Sequence, residues 1–81
     1  MRIRLLFFAL YRDLAGLPEM ELETRSGATA ATVVAELRHA GGGLARLPAA
    51  PAVAVNREYA PLSTVLRDGD ELAFLPPVAG G

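Results

Sequence analysis

The carboxyl-terminal glycines, Gly80 and Gly81, are the residues of this sequence best suited to chemistry. Glycine has no Cβ, so its backbone can adopt φ values closed to other residues and can approach another surface closely. Two glycines in succession form a slim thread that ends in a carboxylate and fits a narrow pocket of another protein. Pro76 and Pro77 hold the base of this thread extended, because proline fixes φ at about −65°. A disordered terminus is the alternative interpretation, since glycine-rich ends often lack order.

The terminal carboxylate becomes reactive only when one of its oxygens is turned into a leaving group. Adenylation by ATP does this and gives an acyl-adenylate that a sulfur or nitrogen nucleophile can attack. Because the adenylating site must exclude water, it accepts only a thread without side chains, which two glycines provide. The chain has no cysteine and a single histidine, His39, so it lacks a thiol nucleophile, a catalytic triad and a thiolate metal site. We therefore expect no catalytic set, no metal and no cofactor bound by the chain itself.

The composition describes a small and nearly neutral protein. Its 81 residues suffice for one domain with one core. Eight arginines against nine acidic residues give a net charge of −1, and the absence of a basic stripe argues against nucleic-acid binding. No signal peptide is visible, and the N-terminal apolar run is too short for a membrane span. We expect a cytoplasmic protein with neither a nucleic-acid nor a membrane partner. Without lysine, it is poorly suited to forming amide-linked chains on itself.

Hydrophobic periodicity predicts four main strands and one main helix. The predicted elements are a strand over residues 2–10, a helical turn over 11–16, a strand over 19–24, a helix that follows an N-cap at Thr29 and ends at Gly41, a strand over 52–56, a brief extension at 59–60, and a strand over 71–75. A tight turn is predicted at 68–70, because aspartate side chains bond nearby backbone and glycine supplies a positive φ.

This order predicts an α+β fold, in which a mixed sheet curls over one face of the main helix. A right-handed crossover through the helix sets the first and last strands side by side and parallel. The layout is that of a β-grasp, or ubiquitin-like, fold. We expect a β-grasp domain over residues 1–75 and an extended tail over 76–81 with a flexible Gly-Gly end. The predicted core consists of Ile3, Leu5, Phe7, Leu22, Val33, Leu37, Val53, Val55, Leu72 and Phe74.

A docking surface is predicted on the face of the sheet opposite the helix. Phe8 and Leu75 should lie there with Tyr59 near them, and an apolar patch of a few hundred square ångströms usually marks a contact site. Partial cover by loops is the alternative. Arg12 is a weaker candidate, for a salt bridge to a partner. The full set of predicted partner-binding residues is Phe8, Arg12, Tyr59, Leu75, Pro76, Pro77 and Val78.

Four segments carry a resemblance to a known family. They are residues 6–9 (Leu-Phe-Phe-Ala), 12–16 (Arg-Asp-Leu-Ala-Gly), 53–56 (Val-Ala-Val-Asn) and 68–81, which closes with Leu-Pro-Pro-Val-Ala-Gly-Gly. The chain resembles the MoaD-type sulfur carriers of the MoaD/ThiS family, the small subunits of molybdopterin synthase. That family commonly closes with Phe-Pro-Pro-Val-(Ser/Thr)-Gly-Gly, so Leu75 stands here for the usual Phe and Ala79 for the usual hydroxyl residue.

The resemblance implies a cycle that runs through the chain's last residue. A ubiquitin-activating-type adenylyltransferase consumes ATP to adenylate Gly81, and a sulfur donor enzyme converts the adenylate to a thiocarboxylate. The tail, made slim by Gly80, then enters the large subunit of molybdopterin synthase, where the sulfur passes to cyclic pyranopterin monophosphate in molybdenum cofactor biosynthesis. The catalytic groups would lie on the large subunit, so this chain would be a non-catalytic sulfur-donor subunit. The same analogy implies a heterotetramer with two large subunits.

Other functions stay open on sequence grounds. The same thiocarboxylate could serve thiamine thiazole synthesis or tRNA thiolation. The activated tail equally suits a ubiquitin-like protein modifier that forms isopeptide bonds with target lysines. A purely structural β-grasp binding module is a further alternative, and such a module would keep its function without Gly81.

Overall fold

Five strands and two α-helices follow one another in residues 1–77, the part of the chain that the computed structural model describes. The elements are β1 (Arg2–Phe7), α1 (Ala9–Ala15), β2 (Glu19–Glu23), α2 (Ala30–Ala40), a 3₁₀ helix (Gly42–Arg46), β3 (Ala52–Val55), β4 (Glu58–Ala60) and β5 (Glu71–Leu75). The predictions for Val78, Gly80 and Gly81 lie outside the described residues.

The strands form one mixed sheet in the order β2-β1-β5-β3-β4. The first and last strands, β1 and β5, are parallel neighbours at the centre, as predicted. The pairs β1–β2, β3–β5 and β3–β4 are antiparallel. The α+β, ubiquitin-like β-grasp fold is therefore confirmed.

The main helix, α2, covers one face of this sheet. Thr29 caps it as predicted, since the Thr29 hydroxyl accepts a hydrogen bond from the Thr32 backbone N–H at 3.2 Å. The Thr32 hydroxyl in turn accepts from the Thr29 N–H at 3.2 Å, which completes a capping box. The buried side of the helix consists of Ala30, Val33, Val34 and Leu37, at the spacing of one helical face.

The core lies between α2 and the sheet. Phe7 of β1 and Phe74 of β5 stack there with ring centroids 5.4 Å apart. Of the ten predicted core residues, Leu22 and Val55 are only half-buried. The structure adds buried residues that the sequence pattern did not single out as core, chiefly Tyr11, Val34 and Leu47. Tyr11 lies in the short helix α1 and Leu47 follows the 3₁₀ helix, and neither segment is long enough for its hydrophobic period to mark the inward side.

The predicted first strand is three residues too long. β1 ends at Phe7, and Ala9 and Leu10 belong to α1. Phe8 keeps an extended backbone (φ −118°, ψ 150°), but Ala9 has a φ of +48°, which turns the chain sharply. The Phe8 carbonyl then accepts a hydrogen bond from the Tyr11 N–H at 3.0 Å. This turn buries Tyr11, and Gly16 ends α1 in the left-handed conformation, as predicted.

The predicted aspartate turn also forms, and it secures the start of β5. Gly69 has a φ of +86°, and the Asp70 carboxylate accepts a hydrogen bond from the Arg67 N–H at 2.8 Å. Asp68 accepts from the Arg2 N–H at 2.8 Å, so the turn is also tied to the start of β1. Within residues 1–77, neither helix has the length and apolar character needed to cross a bilayer.

Candidate docking site

The outer face of the sheet, opposite α2, carries a row of mostly apolar side chains. Side chains alternate between the two faces of a strand, so the neighbours of the buried Leu5 and Phe7 point outward. The strand register then aligns Leu6 of β1 with Ala73 of β5, Ala73 with Ala54 of β3, and Ala54 with Tyr59 of β4. A partner that contacts this face meets one apolar strip running across four strands.

This strip forms the floor of a shallow depression of about 460 Å³, which we call the apolar hollow. It is lined by Leu6, Phe8, Ala54, Arg57, Tyr59, Glu71, Ala73 and Leu75. Phe8 is 47% exposed and Tyr59 is 84% exposed, although both are large aromatic residues. Ala54 and Ala73 are small and buried, so they form the floor of the hollow. The larger and exposed side chains of Phe8 and Tyr59 form part of its rim. Exposed aromatic rings around a depression are typical of protein contact sites.

The opposite end of the same face is charged. Arg4 lies between Glu21 of β2 and Glu71 of β5 in the strand register. Arg2 pairs with Glu21 and with Glu23, each at 3.4 Å. These ion pairs are exposed, so they stabilise the fold little, and side chains of both signs are interspersed at this end. The outer face therefore has one apolar end and one solvated end.

The apolar end is where the tail begins. Leu75 is the last residue of β5 and is half-buried in the lining of the apolar hollow. Pro76 is also half-buried, whereas Pro77 is exposed. Leu75 and Pro77 also line a second depression of about 300 Å³ together with Tyr11 and Pro51. A partner seated in the apolar hollow would thus contact the chain directly beside the residues that lead to the carboxyl terminus.

Polar side chains of the described residues form no cluster suited to a metal ion. Within residues 1–77, no three His, Asp or Glu side chains lie close enough together to hold a metal ion. Every buried side-chain nitrogen or oxygen in that range has a hydrogen-bond partner. His39 is exposed in the last turn of α2 and does not line the apolar hollow. The exposed aromatic rings of the apolar hollow are suited to contact with another protein's surface.

The predicted partner-binding residues are only partly brought together. Phe8, Tyr59 and Leu75 share the apolar hollow, as their predicted placement requires. Arg12 is exposed on α1 but does not line the hollow. The contributions of Leu6, Ala54 and Ala73 were missed, although the alternation of the predicted strands contains them. Arg57 was missed as well, because its position in a turn gave it no periodic signal.

Sequence comparison agrees with the resemblance noted above. The sequence matches the ThiS family over residues 5–81. The molybdopterin synthase sulfur carrier subunit of Haemophilus influenzae is 40% identical over 81 residues, covering 98% of this chain and 99% of that protein. The protein of the same name from Mycobacterium tuberculosis is 38% identical over 81 residues, covering 99% of this chain and 98% of that protein.

Two solved structures share the fold over nearly its full length. The small archaeal modifier protein 1 of Methanosarcina acetivorans superimposes with a TM-score of 0.79 at 28% identity, covering 99% of this chain and 96% of that one. The complex of subunits 1 and 2 of the molybdopterin-converting factor from Helicobacter pylori contains a chain with a TM-score of 0.71 at 27% identity, and each chain covers 100% of the other. Because the family match and the sequence identities span almost every residue, this protein belongs to the ThiS family, as its resemblance to the MoaD-type sulfur carriers predicts.

Proposed function

We propose that this chain is the sulfur-carrier small subunit of molybdopterin synthase and acts in molybdenum cofactor biosynthesis. The observation that carries the proposal is the position of Leu75, which is both the end of β5 and part of the apolar hollow. A partner docked in the hollow is held where the tail starts, so the tail can be fed into that partner's active site. The names of the H. influenzae and M. tuberculosis relatives support the same assignment.

The partner we assign to the hollow is the large subunit of the synthase. The H. pylori structure, similar to this chain over its whole length, is named as a complex of subunits 1 and 2 of the molybdopterin-converting factor. Phe8 and Tyr59 offer ring surface that a partner can cover, and burial of such aromatic surface is favourable by about 25 cal/mol per Å². By analogy, two small and two large subunits would form a heterotetramer.

The reacting group we assign is the Gly81 carboxylate. In the proposed cycle, a carboxylate oxygen attacks the α-phosphate of ATP on a ubiquitin-activating-type enzyme, and pyrophosphate leaves. A sulfur donor enzyme then supplies sulfur at the oxidation level of sulfide, which forms a bond to the acyl carbon and displaces AMP, giving a thiocarboxylate. Gly80 lets the tail enter the closed cavities of both partners, since it carries no side chain. In this cycle the partner enzymes supply the catalytic groups, and the chain carries and presents the sulfur.

A ubiquitin-like modifier is the second candidate function, and the M. acetivorans neighbour is the observation that favours it. The acyl-adenylate would then be attacked by a lysine amine of a target protein, with release of AMP and formation of an isopeptide bond. The sulfur-carrier roles in thiazole synthesis and tRNA thiolation share the thiocarboxylate but use another acceptor.

Intact mass spectrometry distinguishes these outcomes. The chain is incubated with the activating enzyme, ATP and a sulfur donor, beside a variant extended by one phenylalanine after Gly81. We expect the unextended chain to gain the mass difference between one sulfur and one oxygen atom, and the extended variant to stay unchanged. Covalent adducts with other proteins, in place of that gain, would favour the modifier function. Equal modification of both forms would contradict a role for the Gly-Gly terminus.

A further inference from the structure

The hairpin between β3 and β4 contains an unusual residue. Two residues, Asn56 and Arg57, connect the strands, and their φ angles are +50° and +73°. Two positive φ values in a two-residue hairpin define a type I′ turn, in which the second position is usually glycine. Arginine has a Cβ that makes this left-handed conformation costly. A glycine at position 57 would form the same turn with less strain.

The hydrogen bonds around the turn account for Asn56 but not for Arg57. The Asn56 amide nitrogen Nδ2 donates to Asp70 Oδ1 at 2.9 Å, and its Oδ1 accepts from the Glu71 N–H at 3.0 Å. The Asn56 N–H also donates to the Glu71 carbonyl at 2.9 Å. The turn is thereby fixed to the start of β5. Within residues 1–77, the Arg57 guanidinium forms neither a side-chain hydrogen bond nor an ion pair within 4.0 Å.

The strained conformation of Arg57 occurs at the edge of the apolar hollow. Arg57 is exposed and lines the apolar hollow beside Tyr59 and Phe8. Among the described residues that line the hollow, it is the single basic one. Strained backbone conformations persist mainly at functional sites, where the surrounding structure holds them in place. Here the anchored Asn56 fixes the backbone from which the Arg57 side chain extends at the rim of the apolar hollow.

We propose that Arg57 is a specificity-determining residue of this docking surface and pairs with a carboxylate of the synthase large subunit. The inference rests on the proposed function, because it takes the large subunit as the occupant of the apolar hollow. A guanidinium presents a planar fork of donors that matches a carboxylate, and such a pair is stronger when apolar contacts around it exclude water. A charge at the rim also speeds association and selects among partners. The partner surface should therefore combine apolar side chains with an aspartate or glutamate opposite Arg57.

The test compares the stability of the free chain with its affinity for the purified large subunit from the same genome. The variants are Arg57→Gly, Arg57→Lys and Arg57→Gln, with Arg38→Gln of α2 as the matched loss of an exposed arginine outside the hollow. Arg57→Gly should raise Tm by about 2–6 °C, because glycine suits the turn. The same variant should weaken binding by about 5- to 30-fold at low salt.

Salt dependence separates a paired charge from a general structural effect. Affinity of the wild type and of Arg57→Lys should fall as salt is raised, whereas that of Arg57→Gly and Arg57→Gln should change little. Arg38→Gln should bind within about twofold of the wild type. Unchanged affinity of Arg57→Gly, or equal losses in Arg57→Gln and Arg38→Gln, would overturn the assignment of Arg57. If the wild type itself does not bind the large subunit, the proposed function fails instead.

Discussion

At the scale of single residues, Phe7, the last residue of β1, and Phe8, which follows it, have different assigned roles, Phe7 in stability and Phe8 in the proposed docking. They are adjacent and extended, so their side chains point to opposite faces of the sheet. Phe7 is 2% exposed and stacks on Phe74, whereas Phe8 is 47% exposed beside the apolar hollow. Two identical side chains thus contribute to different properties of the protein.

Replacing each phenylalanine by alanine should separate these properties. We expect Phe8→Ala to leave the free energy of unfolding within about 0.5 kcal/mol of wild type, because the ring has few buried contacts. The same change should weaken binding to the large subunit by about tenfold or more, as loss of an aromatic anchor does. Denaturant unfolding and calorimetric titration would measure the two effects.

Phe7→Ala serves as the counterpart of that variant. It removes a fully buried ring from the core, so we expect it to lower the free energy of unfolding by about 3–5 kcal/mol. A large loss of stability in Phe8→Ala with no loss of binding would show that the exposed ring supports the fold and does not contact a partner.

At the scale of elements, the contact between α1 and the 3₁₀ helix depends on Gly43. A Cβ atom added to Gly43 would overlap the Leu14 carbonyl oxygen, a backbone atom of α1 that cannot move aside easily. Gly43 does not have a positive φ, so alanine would suit its backbone and would otherwise be mildly stabilising. For Gly43→Ala, we expect the destabilisation caused by this overlap to exceed the mild stabilisation from the backbone preference.

We therefore expect Gly43→Ala to lower the free energy of unfolding by about 1–3 kcal/mol, as overpacking does. Ala45→Gly, in the same 3₁₀ helix, is the control for helical preference alone and should cost about 0.5–1 kcal/mol. Thermal and denaturant unfolding would measure both. A Gly43→Ala variant at least as stable as the wild type would show that the two helices are not in such close contact.

The helices and strands differ in how well their positions could be predicted from the sequence. Strict alternation in β2 and the spacing of Val33 and Leu37 in α2 predicted both elements, because one face of each is buried and the other is solvated. The start of α1 was missed, since its N-cap, Phe8, has no side-chain oxygen to signal a helix start. Burial of Tyr11 and Leu47 depends on contacts between segments distant in sequence, and local patterns do not record these.

The candidate site was predictable to a similar extent. The outward positions of Phe8 and Leu75 follow from strand alternation, and Tyr59 was placed near them correctly. The strip that joins them depends on the register between β1, β5 and β3, which appears only once the strands are paired. A turn at residues 56–58 is predictable, but arginine seldom adopts the left-handed conformation found here, and nothing in the sequence marked Arg57 as part of the contact surface.

At the scale of the whole molecule, the fold brings an apolar contact surface and the start of the tail to one end of the sheet. The parallel pairing of β1 and β5 places Phe8 and Leu75, 67 positions apart in sequence, at the same end. The charged end of the outer face, with Arg2 and Glu21, lies away from the tail. Under the proposed function, this division would let the large subunit bind the domain and receive the tail in one orientation.

Sulfur transfer in a reconstituted synthase tests the central claim most directly. The large subunit and cyclic pyranopterin monophosphate are mixed with this chain, either as the Gly81 thiocarboxylate or as the Gly81 carboxylate, with no other sulfur source. We expect the pterin to gain sulfur only with the thiocarboxylate, as one carrier is converted back to the carboxylate for each sulfur transferred. Equal sulfur incorporation from both forms, or none from the thiocarboxylate while the two subunits are bound, would contradict the account.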